Sequence, residues 1–108
     1  MVGRPEAVLN VQALSVHTLK GTVQRVVVLQ YPGLDTGASI LVAPIYPASG
    51  LPELQGVTPR VNLDGEDHLI AVQLLAAVQR KDLGPVEQTL AAHEYAVANA
   101  INRLFFGI

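Results

Sequence analysis

Cysteine and tryptophan are both missing from the 108 residues of this chain. Without cysteine there is no disulfide, no thiolate metal ligand and no cysteine nucleophile, which fits a reducing compartment. Charge is scarce as well. Asp, Glu, Lys and Arg make up 15% of the sequence, against roughly a quarter in ordinary soluble domains. The balance is acidic, with seven Lys and Arg against nine Asp and Glu and a net charge of −2. Domains that work by neutralising phosphate backbones cluster their cations and are usually basic. Cations spread thinly along the chain make no such patch, so direct nucleic-acid binding is not expected. No apolar run approaches the ~20 residues that span a bilayer. The start, Met1-Val2-Gly3-Arg4-Pro5-Glu6, lacks the apolar stretch of a secretory signal. These absences describe a soluble cytoplasmic protein with no membrane partner.

What is abundant is apolar side chain. Half the residues are hydrophobic, which rules out a disordered chain. A length of 108 residues suits one domain, residues 1–108, with a single core. Such a small domain cannot easily hide that much apolar surface, and a homodimer interface would absorb the surplus.

The fold reads as mainly β with a C-terminal α-helix. Ala7 to Val16 mixes apolar and polar positions, with partial alternation from Leu9 to Gln12, and reads as a strand. Lys20-Gly21 marks a turn. Thr22 to Gln30 is the strongest strand, and its run of β-branched residues predicts that both faces are covered. Tyr31 to Gly37 is a loop by its Pro-Gly and Asp-Thr-Gly content. Ser39 to Ala43 reads as a buried strand ended by Pro44, which cannot donate to a ladder. Between residues 46 and 56, Leu51 and Leu54 are the expected anchors onto the core. Asp64-Gly65-Glu66-Asp67 between the apolar runs at Arg60–Leu63 and His68–Val72 predicts a hairpin. Gln79 to Pro85 is a polar turn.

From about residue 89 to residue 105 the spacing becomes helical. At about 100° per residue, Val97, Ile101 and Leu104 fall within roughly 40° of Leu90, and the four form the stripe expected to face the core. Tyr95, Asn99, Asn102, Arg103 and Phe106 fall roughly 120° or more away. Gly107 stops the helix and frees the direction of the chain. Chain ends are usually polar, yet this one closes on Leu104-Phe105-Phe106-Gly107-Ile108. An aromatic beside an arginine and two amides on a rigid helix has the composition of a binding hot spot. The plainer alternative is that Phe106 folds back under a loop or lies in a dimer seam.

The tail Asn99-Ala100-Ile101-Asn102-x-x-Phe105-x-Gly107-Ile108 resembles the C-terminus of the CcdB toxins, plasmid-addiction proteins that poison DNA gyrase. The likeness extends to Val27-x-Leu29-Gln30, Asp35-Thr36 and Leu41-Val42-Ala43-Pro44-Ile45, which are similar to that family's two central strands and their loop. It covers roughly three quarters of the chain, from about Val23 onward, and leaves the first residues unmatched. The resemblance implies a homodimer built on an SH3-like antiparallel barrel with a C-terminal helix. It implies a toxin that binds the GyrA subunit of gyrase and traps its DNA-cleavage complex, and a cognate antitoxin that neutralises it through a disordered segment. It implies no enzymatic activity and no cofactor. The family's terminal Trp-Gly-Ile carries the poisoning and maps onto Phe106, Gly107 and Ile108, with Arg103 and Asn102 beside them on the helix. Phe106 in place of tryptophan keeps stacking capacity but offers less area and no N–H, a loss on the order of a kcal/mol.

The related MazF-type toxins share the strand pattern and imply an alternative, an endoribonuclease. That chemistry needs an acid/base pair near the 2′-hydroxyl and a cation for the phosphate. Arg25 with Thr36, Arg60 or His68 is the available nomination, although the expected Thr or Ser after the strand's proline is replaced by Ile45-Tyr46-Pro47. A divergent dimer that only binds an antitoxin is a third reading. Asp64, Glu66, Asp67 and His68 could suggest a metal site, but a solvated hairpin turn accounts for them more simply. His17 and His93 are isolated, and Ser39 and Ser49 have no nucleophile-elbow context. The alanines at 91, 92, 96, 98 and 100 suit close helix packing or a dimer contact.

Overall fold

The computed structural model describes residues 13–31 and 33–108. Their strands are β1 (Ser15–Thr18), β2 (Arg25–Val28), β3 (Ser39–Pro47), β4 (Arg60–Leu63), β5 (Glu66–Ile70), β6 (Ala76–Gln79) and β7 (Gln88–Thr89), followed by one helix, α1 (Glu94–Phe106). All pairings are antiparallel. The strand order is β4-β5-β3-β2-β1-β7, and β6 lies beside β3 off that path. The sheet curls into a half-barrel, mainly β with a C-terminal helix, as the sequence pattern predicts.

β2 shows why the sheet has two covered faces. Successive residues of a strand point to opposite sides. Val27 enters one cluster with Ala43, Ile45, Val61, Leu63, Ile70 and Val97. Val26 and Val28 enter another with Ile40, Val42 and Leu83. All three valines are buried, each worth about 1.5–3 kcal/mol by transfer. The expectation that this strand is covered on both sides is met.

β3 runs nine residues, straight through Pro44 to Pro47, rather than ending at Pro44. The hydrogen-bond register explains the tolerance. Leu29 N–H donates to Leu41 O, so Leu41, Ala43 and Ile45 point their main chain toward β2. Pro44 therefore points the other way, where its carbonyl accepts from Ala71 N–H. Its missing N–H falls at the place where β3 changes neighbour, from β6 at Val42 to β5 at Ile45. No ladder donor is required there.

The β4–β5 hairpin turns on Asp64-Gly65 alone, with φ of 55° and 84°, and the strand resumes at Glu66. Positive φ at both centres is the backbone of a type I′ turn, whose twist matches the flanking strands. Of the strand expected over residues 7–16, Ala7 to Gln12 lie outside the described residues, and Ser15 and Val16 open β1.

The helix begins at Glu94, later than the spacing predicts, because the ladder claims the residues before it. Thr89 pairs with Ser15, Leu90 N–H donates to Leu14 O, and Ala91–His93 form a 3-10 turn. α1 packs against the 3-10 turn at Val72–Leu74 and buries Val97 and Ala100, with Ile101 partly buried. Leu104, expected in the core stripe, is 37% exposed. The docking contact ends about a turn before it, and the last turn projects beyond the core.

Candidate functional site

That projecting turn carries the largest concentration of exposed apolar side chains among the described residues. Phe105 is 59% exposed, Phe106 72% and Ile108 81%. The two phenyl rings lie 6.4 Å apart and tilted by 51°, each open to a partner. Gly107 ends the helix at φ 75° and its N–H donates to Arg103 O at 3.0 Å. This left-handed cap turns Ile108 off the helix axis, and nothing lies near where a Cβ on Gly107 would sit. Its restriction is conformational only. Asn102 is exposed on the same turn.

Arg103 is placed differently from its neighbours. A Cβ built on Gly56 would meet Arg103 Nε, Cδ and Cζ, so the arginine side chain lies directly across that glycine, which itself sits at φ 81°. The turn beneath is well braced. Leu54 N–H donates to Thr58 Oγ1 at 2.9 Å and Thr58 N–H to Leu54 O at 3.0 Å. Thr58 is the buried residue of this segment, while Leu54, expected as a core anchor, is mostly outside, and Leu51 is half-buried. Arg103 thus joins the base of the tip to the Leu54–Thr58 turn. Sequence spacing alone placed it on the outward half of the helix, and only the φ > 0 signature of Gly56 could have hinted at a side chain crossing there.

A second cluster sits at the other nomination, Arg25. One guanidinium nitrogen donates to Asp64 Oδ2 at 2.9 Å and another reaches His68 Nε2 at 3.1 Å. His68 Nδ1 lies 3.0 Å from Glu66 O. A carbonyl can only accept, so Nδ1 carries the proton and Nε2 accepts from Arg25. His68 is buried, with both ring nitrogens committed. Thr36 is remote from this group: its hydroxyl donates to Ser39 O and takes a hydrogen bond from Gln30, at the far end of β3. Arg60 binds Glu53 at 2.7 Å and Asp67 at 3.2 Å, and the hydrogen bond to Glu53 chiefly raises its already high pKa. Asp64, Asp67 and His68 therefore face arginines or main chain, as the turn reading expects.

His17 is a structural residue. Its Nδ1 donates to Gly84 O at 2.8 Å, which leaves Nε2 to accept from Ser15 Oγ at 2.8 Å, with Ser15 and His17 both buried in β1.

A curled antiparallel half-barrel closed by a C-terminal helix with a bare aromatic tip is the architecture these residues build. Residues 10–107 match the family model described as CcdB protein, and the chain belongs to the CcdB family. It is accordingly a toxin of a toxin–antitoxin system, with an antitoxin partner implied by that membership. Two solved structures share the fold. One, described as "Mycobacterium tuberculosis toxin MazF-mt6", is 21% identical with a TM-score of 0.70, over 84% of this chain and 95% of that one. The other, described as "Crystal structure of Mtb toxin", is 21% identical with a TM-score of 0.65, over 83% and 99%. No curated protein matches the sequence at a significant level. Among the described residues no helix is long and apolar enough to cross a membrane.

Proposed function

We propose that this toxin acts in the cytoplasm as a homodimer that binds the GyrA subunit of DNA gyrase through its helix tip and traps the cleaved-DNA complex. The observation that carries the reading is the exposure of Phe106 and Ile108 on a turn the core does not hold. Phe106 stacks on a cationic side chain of the target, Gly107 permits close approach, and Ile108 fills an apolar recess. Asn102 contributes polar contacts at the rim. Arg103 acts from the base, by fixing the last turn against Gly56, more than by reaching the partner. No bond is made or broken by the toxin in this reading.

The test is gyrase-mediated DNA cleavage with the full chain and with a form lacking Phe106, Gly107 and Ile108. Linear DNA that accumulates with the first and not with the second supports the proposal. Absence of cleavage with both overturns it.

The likeness to MazF-type toxins favours a second reading, endoribonuclease activity. Arg25 and His68 are the pair that would carry it, with Arg25 binding phosphate and His68 exchanging the proton. Asp64 and Glu66 O would first have to release them. RNA cleavage that survives removal of the tip and is lost in Arg25→Ala would favour this reading over gyrase binding.

A further inference from the structure

Every residue after Ile101 is exposed, so the core does not fix how the helix tip points. Arg103 supplies a tie in its place. Its carbonyl caps the helix by accepting from Gly107 N–H, and its side chain crosses Gly56. Among the described residues the Arg103 guanidinium has no ion pair. The crossing is therefore a matter of shape, with the arginine laid against a glycine that has no Cβ to lift it away. Whatever sets the position of Gly56 sets the position of Arg103.

Gly56 is the crest of a turn whose two feet are fixed to the sheet. Glu53, before it, is held by Arg60 at 2.7 Å, and Pro59 O, after it, accepts from Ile70 N–H of β5 at 2.9 Å. Between these feet residues 54–56 are exposed and Val57 is half-buried, so Thr58 is the one buried residue of the turn. Its hydroxyl accepts from Leu54 N–H at 2.9 Å and donates to Leu54 O at 3.2 Å. Val57 N–H and Thr58 N–H donate to the same carbonyl, at 2.9 and 3.0 Å. Main chain alone closes the turn. The hydroxyl adds the one partner that Leu54 N–H has among the described residues, and so fixes how the crest stands.

We infer that Thr58 is a positioning residue for target binding, acting through Gly56 and Arg103 on the helix tip. The inference rests on the helix-tip reading above and adds to it a residue buried out of the target's reach. A tip already held in its binding orientation has less freedom to lose on contact. For exposed side chains such as Phe105 and Phe106, losing that hold corresponds to about fivefold in dissociation constant. Coupling of this kind is reciprocal. A looser turn frees the tip, and a tip cut loose from Gly56 loosens the turn. A threonine that only completed its own turn would instead change stability and leave the Gly107 cap as it was.

The test is amide hydrogen exchange of the full chain, read by NMR, beside calorimetric titration of purified GyrA. Thr58→Val keeps the side chain's shape and removes the hydroxyl, whereas Thr58→Ser keeps the hydroxyl. Thr58→Val should speed exchange of the Gly107 amide, which donates to Arg103 O, and raise the dissociation constant for GyrA about fivefold. Thr58→Ser should leave both close to wild type. Arg103→Ala should have the same two effects, and the double variant should add nothing to Arg103→Ala alone. If Thr58→Val does not fold, Arg103→Ala decides the matter by reciprocity, since it should speed exchange of the Leu54 amide across the turn. Unchanged Gly107 exchange in Thr58→Val, unchanged Leu54 exchange in Arg103→Ala, or effects that multiply in the double variant overturn the positioning role. A full chain that leaves GyrA unbound overturns the helix-tip reading instead, and the exchange rates still decide whether Thr58 orders the tip.

Discussion

Phe106 and Gly56 show how differently two surface residues can matter. Phe106 is mostly exposed and pairs only with the exposed Phe105 ring beside it, so Phe106→Ala should change stability by less than about 0.5 kcal/mol. If the tip contacts gyrase, the same change should abolish DNA trapping, and Phe106→Trp should bind GyrA several-fold more tightly by restoring indole area and its N–H. Thermal melts beside a cleavage titration separate the two effects. Gly56 is the converse case. Gly56→Ala forces a left-handed φ on a residue with a Cβ and pushes aside Arg103, at a cost of about 1–2 kcal/mol. Urea unfolding should show that loss, and gyrase trapping should weaken with it because the last turn loses its brace. Within β1, His17→Leu should cost about 2–4 kcal/mol, since the buried Ser15 hydroxyl and the partly buried Gly84 O would both lose their partner. A deficit under 1 kcal/mol in that melt would contradict the structural role given to His17.

At the scale of elements, the sequence announces whatever local chemistry decides. Asp64-Gly65 between apolar runs is a turn because few other pairs tolerate positive φ twice, and the hairpin forms there. Gly65→Ala should therefore cost about 1 kcal/mol, readable as a shift in the urea midpoint with an unchanged slope. The β-branched run at Val26–Val28 likewise declares a strand with two buried faces. What pattern could not show was set by neighbours distant in sequence. Pro44 is harmless because of where β5 and β6 abut β3. Thr89 and Leu90, where the helical spacing begins, are taken by β1 instead. Leu104 keeps the helical phase of a core residue but stands past the point where the helix touches the sheet. The outward position of Phe106 was legible from helical spacing, whereas its grouping with Gly107 and Ile108 came from the likeness to the CcdB tail. The crossing of Arg103 over Gly56 and the engagement of both His68 nitrogens were not, since each depends on a tertiary contact.

For the whole molecule, the two apolar clusters and the curled sheet form a support, and the function proposed for it sits at the helix end. A chain with net charge −2, whose Arg25, Arg60 and Arg80 are engaged with carboxylates or main chain, offers little to a phosphate backbone. It offers more to a protein surface, through bare aromatics on a rigid helix. This division between scaffold and tip means that binding and stability should separate cleanly under mutation. Isothermal titration of purified GyrA with the full chain and with Phe106→Ala tests that most directly. Saturable binding by the full chain that falls by at least about tenfold in the variant, roughly 1.4 kcal/mol, with an unaltered melt is the predicted result. Equal affinity for both chains, or no heat of binding to GyrA at micromolar concentration, would contradict the account.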